Sequence, residues 1–224
     1  MRMIKSGQAR HGEVYFAIDQ SAGKGQSGRQ WNSAPGKNLM ISIVLLKDLP
    51  EIKQLFSISV CTVLACLELF NKRTGGDMSV KWPNDLFWRD RKAGGILIEN
   101  AISGISLSYS IIGIGLNINQ TEFPELNRKV VSLKQITGKS HDPIELAEEL
   151  CVLFDKNLQS SAENSIEMLD IYNQHLYMRN QLINFSINNQ RTSGLVQQVS
   201  ADGSIGILEE EIKMYRSGEI VWHL

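Results

Sequence analysis

Residues 112–118 read Ile-Gly-Ile-Gly-Leu-Asn-Ile, a strict alternation that constrains the fold more than any other segment of the chain. Side chains on an extended strand point to opposite faces in turn. Ile112, Ile114, Leu116 and Ile118 therefore form one continuous apolar face that faces the core. Gly113, Gly115 and Asn117 share the other face, which carries two bare backbone positions and one amide. A face of that kind is either crowded by a neighbouring element, where glycine relieves the contact, or approached closely by a ligand. Both readings are open from this segment alone.

The surrounding chain supplies more strands and the helices to cover them. Residues 14–19, 38–46, 79–82, 93–99 and 107–118 carry the β-branched and aromatic content of strands, and 100–104 read as the turn of an antiparallel hairpin. Residues 52–71 place Leu55, Phe56, Val60, Val63, Leu64, Leu67 and Phe70 at helical intervals, which predicts a buried helix. Asp142-Pro143-Ile144-Glu145 is a strong helix start, with a capping acid, a proline at the first position and an acid at the third. That helix is expected to run to about residue 160, and a second to cover 166–176.

After Arg179 the pattern changes. Residues 181–187, 192–199, 204–208, 211–215 and 219–222 are short strands joined by tight turns, Asp202-Gly203 being the clearest, and suggest a small β-barrel. The class is α+β: a main domain over residues 1–178, with a central mixed or antiparallel sheet flanked by helices, and a barrel over 179–224. No internal repeat or low-complexity tract interrupts it.

Composition narrows the possibilities. The chain of 224 residues is 42% hydrophobic and 21% charged, enough apolar material for a sizeable core. A net charge of −1 offers no global basic field for nucleic acid. Between residues 20 and 46, however, the only charges are Lys24, Arg29 and Lys37. Cys61, Cys66 and Cys151 form no metal or disulfide framework; the first two point to different sides of an apolar helix and read as buried thiols. His11, His141, His175 and His223 have no ligand spacing, and no metal site built from them is expected. The N-terminus lacks an apolar signal core, and the longest mostly apolar run, 55–67, is too short to span a bilayer. A reducing cytoplasmic location, away from membranes, is the expectation.

Two further segments carry chemistry. Gly23-Lys24-Gly25-Gln26-Ser27-Gly28 matches G-x-G-x-x-G, and Asp48 lies twenty positions beyond Gly28. The dinucleotide fingerprint nevertheless requires a helix directly after the glycines. Here Pro35-Gly36 and a strand follow, so that reading is rejected. A glycine loop carrying Lys24 and Arg29 can still wrap an anion with backbone N–H groups and positive charge. Trp31 is an unlikely residue for an idle surface loop and would supply a flat apolar wall to a ligand. Downstream, Lys81-Trp82-Pro83-Asn84-Asp85 sets an amide and a carboxylate on a proline-stiffened turn. Arg91-Lys92-Ala93-Gly94-Gly95 then enters a strand through two glycines. A lysine beside bare backbone can meet a ligand anion and stabilise developing charge. Three such surfaces, converging, suit a ligand with a carboxylate and a phosphate.

These segments together resemble a known family. Residues 20–31 with Pro35-Gly36-Lys37-Asn38-Leu39 are similar to the biotin-binding loop of biotin–protein ligases. Lys81 to Asp85 with Arg91 to Glu99 resemble the family's signature core, and Ile112 to Asn117 its third motif. Arg216-Ser217-Gly218-Glu219-Ile220 resembles the end of its C-terminal SH3-like barrel. The resemblance implies a class II synthetase-like catalytic domain and a ligase that couples biotin to ATP as biotinyl-5′-AMP. The biotinyl group then passes to one lysine of a biotin carboxyl carrier protein.

By the resemblance, Gln20 faces the ureido ring, and Gly23, Lys24, Gly25, Gln26, Trp31, Lys92 and Gly95 line the biotin site. Lys92 bridges the biotin carboxylate and the α-phosphate, and Arg29 meets the phosphates. Asn84, Gly95, Gly115 and Asn117 border the nucleotide. Asp85 completes the catalytic set, orienting either magnesium or the acceptor lysine, and Mg2+ accompanies ATP. A homodimer is among the assemblies the family allows.

Two departures stand out. The family usually carries a second arginine where this chain has Gln26. It also has a Ser-Thr-Asn type segment ahead of the first strand, of which residues 1–12 resemble only the tail. No DNA-binding helix-turn-helix precedes the catalytic part, so repression is not implied. Two alternatives accompany the ligase reading. One is a binding protein or remnant with an incomplete biotin pocket; the other is a lipoate ligase or octanoyl transferase.

Overall fold

The computed structural model describes residues 2–123 and 129–223. After a short helix α1 (Arg2–Lys5), six strands form one sheet: β1 (Val14–Phe16), β2 (Leu39–Leu45), β3 (Met78–Lys81), β4 (Asp85–Trp88), β5 (Arg91–Ser103) and β6 (Ser106–Leu116). Their order across the sheet is β1-β2-β6-β5-β4-β3, and every pair is antiparallel. The alternation of 112–118 has the expected consequence. Ile112, Ile114 and Leu116 are at most 3% exposed and face the helices. Ile41 and Ile43 of β2 and Ile96 of β5 join them on that face.

Helix α2 (Phe56–Thr74) is the main cover, packed on β3, β4 and β5 and flanked by α3 (Leu133–Thr137), α4 (Pro143–Glu163) and α5 (Ser165–Gln174). Its apolar stretch is longer than residues 55–67 suggest, and Ile52–Thr74 could cross a membrane by length and composition. Burial explains the composition instead. Ile58, Cys61, Ala65, Cys66, Leu69 and Phe70 are fully enclosed, and residues 60–67 are buried on every side, so the middle of the helix is apolar because the core surrounds it. Enclosure also pushes the Cys66 thiol up from its ordinary range. Helix α4 begins as its sequence indicates. The Asp142 carboxylate accepts from the N–H groups of Ile144 and Glu145, and Pro143 occupies the first turn.

Three details differ from the sequence reading. Strand β4 was not anticipated; it starts on Asp85, within what reads as a polar turn. Residues 100–103 belong to β5, and the hairpin turns instead at Gly104 and Ile105. Helix α3 is only five residues long but carries a full capping box between Ser132 and Gln135.

Strands β7 (Leu182–Ile187), β8 (Gln190–Val199), β9 (Ile205–Leu208), β10 (Ile212–Tyr215) and β11 (Ile220–His223) make a second antiparallel sheet, ordered β10-β9-β8-β7-β11. It is fastened to the first body by polar contacts as well as by apolar packing. Asn173 of α5 exchanges two hydrogen bonds with Val199, donating to its carbonyl at 2.9 Å and accepting from its N–H at 2.7 Å. Trp82, 3% exposed, donates its indole N–H to the carbonyl of Gly203 at 2.9 Å.

Candidate functional site

The helix-free face of the first sheet is the floor of a cavity of about 860 Å³. Strand register explains the floor. Met40 of β2, Gly115 of β6, Gly95 of β5 and Asp85 of β4 are paired neighbours in one row across four strands. Adjacent strands lie about 4.8 Å apart, so this row has a bare centre two residues wide between a thioether and a carboxylate. Ser42, Gly113 and Leu97 form the next row. The two glycines of β6 are therefore needed on the cavity side, where a side chain would fill the floor.

Lys92 reaches this face through an irregularity. Asp85 pairs with Gly95 and Phe87 with Lys92, with a register shift between Leu86 and Phe87. In a regular strand, residues three apart point to opposite faces, and Lys92 would be driven into the helix-packed core. A bulge admits one extra residue on β5 and turns Lys92 back to the side of Gly95. There its Nζ lies 2.5 Å from Asp85 Oδ1, both side chains about one-fifth exposed (20% and 17%). The pair sits directly above Gly95: a Cβ at that position would be 3.5 Å from both charged atoms.

The backbone of Lys92 is held from outside the sheet. Its N–H donates to the carbonyl of Lys129 and its carbonyl accepts from Val131. The Asn117 amide, 4% exposed, reaches the carbonyls of Lys92 (3.4 Å) and Val131 (3.3 Å) at long range. Asn117 thus lines the cavity while its side chain braces the strand carrying the lysine. Asn84 acts similarly at the turn. It donates to the Ile96 carbonyl at 2.5 Å and accepts the Ile96 N–H on its own backbone carbonyl. The Trp82–Pro83 bond in this turn is cis.

The glycine loop closes the cavity from above. Trp31 N–H donates to the Gly23 carbonyl and Gly25 N–H to the Arg29 carbonyl, forming a narrow ladder capped by a turn at Gln26–Gly28. The N–H groups of Gly25 and Arg29 are consumed within this ladder, so fewer backbone donors face the cavity than a free glycine loop would offer. Gly23 is required by close approach, since a Cβ there would stand 2.4 Å from the Trp31 carbonyl oxygen. The Trp31 ring lies over Gly115, where an added Cβ would be 2.7 Å from two ring carbons. Its centroid is 6.0 Å from Lys92 Nζ. Lys24, Arg29 and Gln20 are exposed on the loop. Gln26 is tied down, donating from Nε2 to Ser217 Oγ of the second sheet at 2.9 Å.

Every residue singled out from the sequence lines this one cavity: Gln20, Gly23, Lys24, Gly25, Gln26, Arg29, Trp31, Asn84, Asp85, Lys92, Gly95, Gly115 and Asn117. Met40, Ser42, Leu97, Glu99, Ile111 and Phe123 also line it, without a motif that marks them. Alternation places Leu97 and Glu99 beside Gly95, but the pairing that brings Met40 and Ser42 alongside depends on register, which one strand does not specify.

Chemically, the cavity combines three cationic side chains with apolar wall and floor positions. Lys92, Lys24 and Arg29 can neutralise anions, and Trp31, Leu97 and Ile111 can cover a hydrocarbon chain. Among the described residues no cluster of three His, Cys, Asp or Glu could hold a metal ion. Asp85 is one carboxylate beside the lysine, a donor set that fits magnesium arriving on a nucleotide's phosphates and not a protein-built cage.

Comparison with known proteins follows the same lines. The model of the Biotin/lipoate A/B protein ligase family matches residues 2–117. The bifunctional ligase/repressor BirA of Bacillus subtilis is 30% identical over 156 residues, 68% of this chain and 48% of that protein. The chain thus matches about half the length of that relative. BirA of Escherichia coli is 28% identical over 226 residues, covering 96% of this chain and 67% of that protein. A biotin protein ligase from Aquifex aeolicus, solved in complex with biotin and ATP, superposes with a TM-score of 0.83 at 27% identity, covering 99% of this chain and 93% of that one.

Proposed function

The chain belongs to the Biotin/lipoate A/B protein ligase family, and on that premise we propose that it is an ATP-dependent biotin–protein ligase. One observation carries the reading: the bulge in β5 sets Lys92 above Gly95, beside Asp85 and under Trp31, in a single cavity with the glycine loop. Likeness to a ligase that binds biotin and ATP supports the choice of substrates.

In the first half-reaction a biotin carboxylate oxygen attacks the α-phosphorus of ATP, and the bond to pyrophosphate breaks. Two anions must meet, and Lys92 offsets their repulsion by releasing Asp85 and bridging both. Arg29 takes part of the charge that moves to pyrophosphate. Gln20, Gly23, Lys24, Gly25, Gln26, Trp31 and Gly95 hold the biotin, while Asn84, Gly115 and Asn117 border the nucleotide. Magnesium, carried by the phosphates, would lower the charge further, with Asp85 as its protein contact.

In the second half-reaction an uncharged lysine amine of a biotin carboxyl carrier protein attacks the acyl carbon. The bond to AMP breaks, and the proton given up by the amine leaves with the AMP phosphate or to water. Asp85, freed from Lys92, is placed to orient that amine. The protein acts in the cytoplasm as a main domain over 1–178 with a barrel over 179–224.

Incubation with ATP, biotin and a carrier domain tests this proposal. A mass increase of one biotinyl group on the carrier is expected, and an unmodified carrier contradicts it. Family membership alone leaves room for a lipoate or octanoate substrate. Transfer of lipoate in preference to biotin in a competition assay would favour that reading.

A further inference from the structure

The far end of the cavity from Lys92 carries a carboxylate that the proposed chemistry does not use. Gly95, Leu97 and Glu99 are successive residues on one face of β5, opposite Gly115, Gly113 and Ile111. All three line the cavity. Four residues of strand separate Gly95 from Glu99, so the two ends lie about 13 Å apart. Among the described residues no side chain pairs with the half-buried Glu99 carboxylate, whereas Asp85 at the near end is held by Lys92. Between them lies the row of Leu97 and the bare Gly113, and Ile111, 9% exposed, stands beside Glu99 itself.

We infer that Glu99 is a specificity residue of this site, accepting an N–H hydrogen bond from the head of a ligand whose acid end lies at Lys92. This rests on the acyl-adenylate reading of the same cavity and adds the chemical class of the head group. Water can solvate this partly exposed carboxylate until a ligand covers it, and the ligand's head must then supply the donor that replaces that water. A second anion would be repelled there, and an alkyl or dithiolane end would strip its water and return no hydrogen bond. A cyclic urea satisfies the requirement, because one of its ring N–H groups can donate to the carboxylate. Glu99 thereby selects a biotin-type acid over lipoate or octanoate, as a site built for polar contact rejects the analogue that lacks it.

Steady-state kinetics of the full chain with biotin, and with octanoate as the apolar competitor, test the assignment. Glu99→Gln is expected to raise KM for biotin about tenfold, the effect of losing a hydrogen bond to a charged group. An unchanged kcat and an unchanged KM for ATP would accompany it, the pattern of binding lost equally from ground and transition states. Glu99→Leu should raise octanoate inhibition while biotin binding falls further. A KM for biotin that stays within about twofold in both variants overturns the role of Glu99. So does a parallel rise in KM for ATP, which marks a general disturbance of the fold. A wild-type protein that uses octanoate and ignores biotin would overturn the proposed function itself, and this inference with it.

Discussion

The two faces of the six-stranded sheet are made from alternate residues of the same strands, yet they obey opposite rules. On the helix side, Ile41, Ile43, Ile96, Ile112 and Ile114 fill space, and each contributes through area removed from water. On the cavity side, Gly95, Gly113 and Gly115 withhold side chains, and the charged or aromatic groups are brought over them by a bulge and a loop. Stability therefore resides on one face and the proposed recognition on the other, within a distance of one residue. Substitutions at neighbouring positions should consequently fail in different ways.

Position 115 against position 114 is the most severe test of that contrast. Gly115→Val places a branched side chain where Trp31 already stands, so the loop must move away from Lys92. Displacement of about 1 Å at a reacting centre costs about 100-fold, and a loss of that size in kcat/KM is expected. The melting temperature should change little by comparison. Ile114→Ala should do the reverse, costing about 3 kcal/mol of stability through a core cavity. The folded fraction should keep near-normal kinetics. Urea unfolding and initial rates, measured on both variants, check the pair. Equal damage to both properties in both variants would collapse the distinction between the faces.

This much was open to inference from sequence, because the alternation of 112–118 assigns faces without reference to any other strand. Lys92 and Asp85 were identifiable as charged residues beside glycine. Their meeting depends on the β5 bulge, and nothing in the run Arg91 to Gly95 marks where an extra residue enters a ladder. Strand β4 carries no clear sequence signal for a related reason. It has only four residues, and its first is the carboxylate of the polar turn. Glu99 sits at the end of an apolar run and reads as its boundary, until pairing with Ile111 carries the strand, and the cavity, past it.

A smaller effect concerns how the second sheet supports the site. Trp82→Phe removes the hydrogen bond to Gly203 and keeps most of the packing, so a loss of about 1 kcal/mol is expected by urea unfolding. No change at all would mean that water replaces the contact at no cost.

The smallest effect is on the helical side, far from the cavity. The Arg73 guanidinium, 2.5 Å from Glu149, holds that carboxyl below its ordinary range. A lowered carboxylate pKa in the folded state stabilises the protein fully above the unfolded value, near 4.5. The contribution is lost as pH falls through the lower folded value. Both side chains are partly exposed, so only a few tenths of a kcal/mol are at stake. Glu149→Gln should therefore be slightly less stable than the parent at about pH 6, and the gap should close at about pH 3. A gap that widens on acidification would reverse the assigned sign.

Lys92, carried to the cavity face by the bulge, is proposed to offset the charge of two meeting anions. Biotin-dependent exchange of labelled pyrophosphate into ATP reports that step alone, without a carrier protein. The wild-type chain should show exchange only when biotin is present, and Lys92→Ala should lose about 1000-fold of it, the scale of removing one preorganised charge-stabilising donor. Wild-type exchange that ignores biotin, or a Lys92→Ala variant that exchanges at the parental rate, would contradict the account.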